Sequence, residues 1–224
     1  VNEADFIELR TSRNQHKIKA EEIKILSKKK IGIVGLSVGQ SIALTLVMER
    51  LCGELRLADF DKLELTNMNR IRCGVQNLQV PKVVIAAREI AELDPFIKVK
   101  IFQDGLTEAN MDEFFTDGGV LDIFVEECDG VDIKILSRIT AKKLKIPVVM
   151  EMNDRGMIDI ERFDLEPDRP LLRGLIPEVD IATLRGLTDA DKLPIFSPML
   201  AMDNATDRLQ FSLSTIDPTL TTWP

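Results

Sequence analysis

Ile31-Gly32-Ile33-Val34-Gly35-Leu36-Ser37-Val38-Gly39-Gln40 is the stretch that decides the fold. Ile31 to Val34 reads as a short buried strand, and Gly35 opens a turn. Residues 38 to 51 then follow helical spacing, with Ile42, Leu46 and Val47 on one face. A strand, a glycine turn and a helix in this order open an α/β sheet. The free N–H groups of the helix N-terminus then face whatever anion lies at the turn. Gly35, Ser37, Val38 and Gly39 are therefore the candidates to line a phosphate. The turn departs from G-x-G-x-x-G: Ser37 and Gln40 take the second and third glycine places, and Gly39 falls one residue early. Taken alone it is weak evidence, since a tight strand-to-helix connection that binds nothing is also compatible with it.

The same alternation runs outward from this unit. Residues 15 to 28 read as an amphipathic helix around Ile18, Ile23, Ile25 and Leu26. Strands are predicted over 54–59, 97–102, 120–126 and 147–151, and helices over 81–93, 107–116 and 131–144. Pro81 suits a first helical turn, and Pro147 suits a strand start. Strands separated by helix-length segments predict right-handed βαβ units. The expected architecture is an α/β, Rossmann-like, doubly wound and mainly parallel sheet with helices on both faces. Beyond residue 152 the rhythm breaks. Met157 to Phe163 alternates loosely as a strand, and 164–200 holds prolines with little periodicity, so it reads as a long functional or mobile loop. The chain divides into 1–155, with an N-terminal helical arm, and 156–224, an irregular C-terminal part of the same domain with a long crossover-type loop.

Composition narrows the function classes. The 224 residues are 45% hydrophobic and 29% charged, as in an ordinary globular protein. A net charge of −8 argues against a general nucleic-acid binder, which needs clustered Lys and Arg. No apolar run approaches the ~20 residues that span a bilayer, so no membrane partner is expected. Cys52, Cys73 and Cys128 form no C-x-x-C pair, which points to a reducing, cytoplasmic setting and to no zinc. His16 is the single histidine, leaving little for histidine-based catalysis. The start at Val1 and the abrupt end at Trp223-Pro224 suggest a piece of a longer protein.

Candidate chemistry clusters after the first two strands. Asp59 closes the second strand, where an acid accepts hydrogen bonds from ribose hydroxyls. A polar loop from Asp61 to Gln79 contains Asn67 and Arg70, and Lys82 starts the next helix. Two cations near a nucleotide suit a triphosphate approached by an anionic nucleophile. Asp129 follows the fourth strand and faces the same crevice, where it could hold Mg²⁺ together with phosphate oxygens. Glu126 and Glu127 have no obvious role, and one of them is expected to point at solvent.

In combination these motifs resemble the ThiF/MoeB/HesA family, relatives of the ubiquitin-activating enzymes. That family carries a glycine-rich turn, an L-x-D-x-D-x-V-x-x-S-N-L-x-R block, a P-K and a D-x-x-D-N. Leu57 to Asp61 and Asn67-Met68-Asn69-Arg70 match the block, and Pro81-Lys82 matches the P-K. Glu126 to Gly130 matches the last motif, with Gly130 in place of its Asn. The resemblance covers roughly residues 10 to 155 and implies an ATP-binding adenylation domain there. It implies that Asp59 binds ribose, that Asn67, Arg70 and Lys82 contact phosphates, and that Asp129 binds Mg²⁺. Arg13 resembles the family's N-terminal Arg that reaches into the partner's site, which implies a homodimer. Members adenylate the C-terminal glycine carboxylate of a ubiquitin-like or sulfur-carrier protein, while others use a small peptide or a tRNA-borne carboxylate. The implied catalytic set is Arg13, Arg70, Lys82 and Asp129, with ATP and Mg²⁺ as cofactors. No cysteine follows Cys128, so no conventional thioester is expected. Two alternatives stay open: a non-catalytic, nucleotide-binding domain of this type within a larger protein, and an NAD-dependent oxidoreductase.

Overall fold

The structure is a computed structural model that describes residues 1–14, 16–152, 156–176, 181–199 and 205–215. Gln15, Arg155, Trp223 and Pro224, on which some sequence expectations fall, lie outside the described residues. In chain order the elements are α1 (Glu3–Thr11), α2 (Ala20–Leu26), β1 (Lys30–Val34), α3 (Gly39–Glu49), β2 (Glu54–Ala58), α4 (Lys82–Leu93) and β3 (Lys98–Phe102). There follow α5 (Met111–Thr116), β4 (Ile123–Glu126), α6 (Val131–Lys143), β5 (Val148–Met152), β6 (Met157–Glu161), α7 (Ile181–Arg185), α8 (Asp189–Phe196) and α9 (Asp207–Ser214).

Among the described residues the strands form one six-stranded sheet in the order β3-β2-β1-β4-β5-β6. The first five run parallel, and β6 pairs antiparallel with β5. The connection leaves β1 towards β2 and β3, then returns to β4, so the chain reverses direction between β1 and β4. Ligands of such sheets bind at that reversal, beyond the carboxyl ends of the strands. Ile31, Ile33, Leu55, Leu57 and Val125 pack against Ala43, Leu44 and Val47 of α3 and Val83, Ala86 and Ile90 of α4. On the opposite face Phe124 and Val148 pack against Phe114 and Phe115 of α5 and Ala141 of α6. The expected doubly wound sheet, helices on both faces, is the architecture found.

Several boundaries differ from the sequence expectation for identifiable reasons. Helix α5 begins at Met111 rather than 107 because Thr107 and Asn110 first close a turn, each backbone N–H donating to the other's side chain at 2.7 and 3.3 Å. Helix α1 gives almost no periodic signal; it is started by the Asn2 side chain, which accepts from the Asp5 N–H at 2.9 Å. Phe6 then docks α1 on Phe96, with ring centroids 5.3 Å apart. The expected helix over 15–28 is confined to Ala20–Leu26. Residues 164–200 are not a long unstructured loop in their described parts. They include a 3-10 turn at Leu171–Gly174 and helices α7 and α8. Leu172, Ile176, Leu184, Phe196 and Met199 form a third core with Ile135 of α6 and Met150 of β5. Their apolar residues gather from short pieces, so no single window shows a period. No helix among the described residues is long and apolar enough to cross a membrane.

Candidate functional site

Gly35 sits at φ +83°, in the left-handed region, and a Cβ there would lie 2.4 Å from the Glu127 carbonyl oxygen. Glycine is thus required twice, once by conformation and once by the approach of the β4 end. Gly39 lets α3 approach β1: a Cβ there would meet the Ile33 side chain at 2.6 Å. Val38 caps α3 without any side-chain hydrogen bond. The Gly39 N–H donates to the Gly35 carbonyl at 3.1 Å and the Ser41 N–H to the Val38 carbonyl at 3.0 Å, while the Val38 N–H has no partner among the described residues and can donate to a ligand.

The acid after β2 ties this turn to the loop that follows. Asp59 accepts from the Leu36 N–H at 2.6 Å through Oδ2 and from the Asp61 N–H at 2.8 Å through Oδ1. Burial pushes its carboxyl above the usual range, against the pull of those amides and of Lys82. A carboxylate has about four lone-pair positions, so two further donors, such as ribose hydroxyls, can still be accepted.

Lys82 is the second fixed group. Its residue is only 6% exposed, and its ammonium donates to Asp61 Oδ2 at 2.8 Å and to the Ser37 hydroxyl at 3.5 Å. A cation is therefore built into the glycine turn instead of lying free on the surface. The intervening loop has its own small core, Leu63, Ile71 and Ile85 with Val80 and Cys73 against it. That core fixes the 3-10 turn Leu65–Asn69, where Asn67 Oδ1 accepts from the Glu64 N–H at 3.0 Å. Arg70 follows the turn and is exposed, its guanidinium donating to Asn69 Oδ1 at 3.0 Å. Gln40, in the place of a third glycine, donates to Glu89 at 2.7 Å and to the Arg72 carbonyl at 3.4 Å, joining α3 to the same loop.

The structure thus brings Gly35, Ser37, Asp59 and Lys82 together around one turn, with Gly35 against the end of β4. Asp129 is exposed in the turn between β4 and α6 and makes no ion pair among the described residues. Arg13 lies on the 3-10 turn Ser12–Asn14, also exposed. It makes no hydrogen bond or ion pair with the other candidates among the described residues.

Sequence reasoning left Glu126 and Glu127 unplaced; Glu126 is buried and Glu127 half-buried. Glu126 is fully buried and bonds Lys134 at 2.7 Å and Arg138 at 2.5 Å; Arg138 also bonds Glu161 of β6 at 2.7 Å. Burial alone would raise the Glu126 carboxyl, but the two cations outweigh it and hold it down at about 2. The same carboxylate accepts from the Cys128 N–H at 3.0 Å, so it shapes the turn that carries Asp129. The available signal was the i, i+4 pair Lys134 and Arg138 on α6. Glu127 accepts from the Glu151 N–H at 3.1 Å, and burial, aided by the nearby Glu126 and Glu151 charges, pushes it up to about 7. Burial first, then Glu126, pushes the Cys128 thiol well above its usual range, which disfavours the thiolate. Mg²⁺ fits this chemistry: it takes one or two carboxylates and completes its shell with phosphate and water oxygens, and Asp129 offers one free carboxylate.

Comparison with known proteins shows the family and the fold. The profile of the ThiF family matches residues 11–191. An uncharacterised protein of Mycobacterium tuberculosis is 46% identical over 219 residues, which are 98% of this chain and 30% of that protein. The molybdopterin-synthase adenylyltransferase of Haemophilus influenzae is 27% identical over 163 residues, covering 72% of this chain and 62% of that enzyme. The chain therefore spans less than two thirds of the length of either relative. Among solved structures, an E. coli tRNA N6-threonylcarbamoyladenosine dehydratase in complex with ATP superposes with a TM-score of 0.63. At 22% identity, covering 70% of this chain and 65% of that one, it shares the fold.

Proposed function

This chain belongs to the ThiF family, and on that premise we propose that it is an ATP-dependent adenylyltransferase that activates a carboxylate as an acyl-adenylate. The observation that supports this most is Lys82, a nearly buried ammonium 3.5 Å from the Ser37 hydroxyl in the glycine turn. A dinucleotide's pyrophosphate is bound well enough by helix amides; a cation fixed at the turn suits the greater charge of a triphosphate.

In this reading Asp59 holds the ribose, and the Val38 amide with the Ser37 hydroxyl holds phosphate oxygens at the turn from Gly35 to Gly39. Lys82, Arg70 and Asn67 neutralise and orient the triphosphate. Mg²⁺, held by Asp129, supplies charge neutralisation at the phosphates. A substrate carboxylate oxygen forms a bond to the α-phosphorus, and the bond from that phosphorus to the bridging oxygen breaks, releasing pyrophosphate. No proton moves, because the nucleophile is already an anion. Positioning and electrostatic stabilisation therefore supply the rate. Arg13 acts in the site of a second copy. The carboxylate is the C-terminal glycine of a ubiquitin-like or sulfur-carrier protein.

The test is ATP–pyrophosphate exchange with a panel of carrier proteins ending in glycine. Carrier-dependent exchange that Arg70→Ala abolishes is the expected result. ATP binding without exchange for any carboxylate offered would leave a nucleotide-binding domain and overturn the catalytic reading.

A further inference from the structure

Phe60, between Asp59 and Asp61, is 75% exposed. It directly follows β2, and its ring lies against the turn that follows β3. A Cβ on Gly105 would meet Phe60 Cδ1 at 2.9 Å, so that turn accepts the ring only because residue 105 is glycine. Gly105 is held there at φ +72°, its carbonyl accepting from the Asn110 side chain at 2.8 Å. The Asp59 N–H donates to the Phe102 carbonyl at 3.3 Å, which locks the ends of β2 and β3 side by side.

The strand order assigns each part of a nucleotide its place along this edge. Phosphates belong at the β1 turn and towards Asp129 after β4, and the ribose belongs at Asp59 after β2. The base is joined to the ribose on the side away from the phosphates. It must therefore lie further out, over the ends of β2 and β3, where Phe60 is the exposed aromatic ring. The flanking acids turn to the Leu36 amide of the glycine turn and to Lys82, while Phe60 between them stays exposed.

We propose that Phe60 is the platform on which the nucleotide base stacks, making affinity depend on an aromatic base and not on polyphosphate alone. The proposal rests on the nucleotide-binding reading given above. Base stacking on an aromatic side chain needs only a π-face, so the platform itself tolerates any base.

Calorimetric titration of the wild-type protein and Phe60→Ala with ATP and with inorganic tripolyphosphate tests it. Phe60→Ala is expected to bind ATP roughly tenfold or more weakly, as loss of one stack implies, and tripolyphosphate unchanged. Phe60→Trp is expected to retain ATP binding and to show fluorescence, above the wild-type background, that ATP quenches and tripolyphosphate does not. Wild-type ATP affinity in Phe60→Ala, or equal loss for both ligands, overturns the assignment while leaving the nucleotide site in place. No ATP binding by the wild-type protein would instead overturn the reading of the whole site, and the platform with it.

Discussion

Lys82 donates to Asp61 at 2.8 Å, so the cation at the glycine turn is already held by an anion before a ligand arrives. Asp61 is half exposed, and a triphosphate competes with it for the ammonium. Lys82→Met keeps the buried stem filled and leaves Asp61 solvated. It should weaken ATP binding by roughly 10- to 100-fold, the worth of one charge-assisted hydrogen bond, with little change in stability. Asp61→Asn should have a smaller effect, since the Ser37 hydroxyl still orients the amine. Titration of both variants with ATP checks this, and equal losses would mean that Asp61 touches the ligand directly.

Gly35→Ala should fail by two routes. The left-handed φ costs about 1–3 kcal/mol for a residue with a Cβ. The added carbon would also collide with the Glu127 carbonyl, which is backbone and cannot swing away. Thermal unfolding should fall by several degrees. Gly105→Ala should lower it less, since a side chain, that of Phe60, is what must give way there. Similar melting of both variants would show that the β4 end yields easily.

The glycine turn, Asp59 and the Lys82 position were legible because their meaning lies in spacing along one strand–turn–helix unit. The buried ion network was not. Glu126 has no obvious role in the sequence, no local spacing joins it to Lys134, Arg138 and Glu161, and Glu161 comes from an antiparallel strand whose pairing no local pattern announces. Arg56 was hidden for the same reason. It is fully buried, its guanidinium donating to the carbonyls of Phe114 and Gly119 at 2.7 Å, and so it ends α5 from a neighbouring strand. The third core was missed because it is assembled from turns and short helices.

Removing one partner from that network should be costly. Arg138→Met leaves Glu126 with Lys134 alone and Glu161 without its cation, both buried, a situation that costs about 3–5 kcal/mol. Urea unfolding should show the loss, and adding Glu161→Gln to Arg138→Met should recover part of it. Glu126, held at about 2 against an ordinary 4.5, contributes stability that is full above its ordinary range and is lost as pH falls towards 2. Acid unfolding of the wild type should therefore steepen across that window. The same curve in Glu126→Gln would count against the assignment.

Asp129→Asn should leave melting unchanged, because the residue is exposed and unpaired among the described residues. It should raise the Mg²⁺ concentration needed for ATP binding without altering tripolyphosphate binding in the absence of the ion. A Mg²⁺ dependence identical to that of the wild type would move the metal-binding role to another carboxylate.

Glu127 predicts a pH effect of the opposite sign to Glu126. Burial raises its carboxyl from 4.5 to about 7, so the folded chain holds this proton more tightly than the unfolded chain. Between those values the folded state binds more protons, and stability falls as pH rises through the window. Glu127→Gln keeps an oxygen to accept from the Glu151 N–H and removes the titration. Its melting temperature should therefore gain on that of the wild type steadily from pH 5 to pH 7.5. Parallel melting profiles for the two proteins would show that Glu127 ionises near its ordinary value and has no part in the pH response.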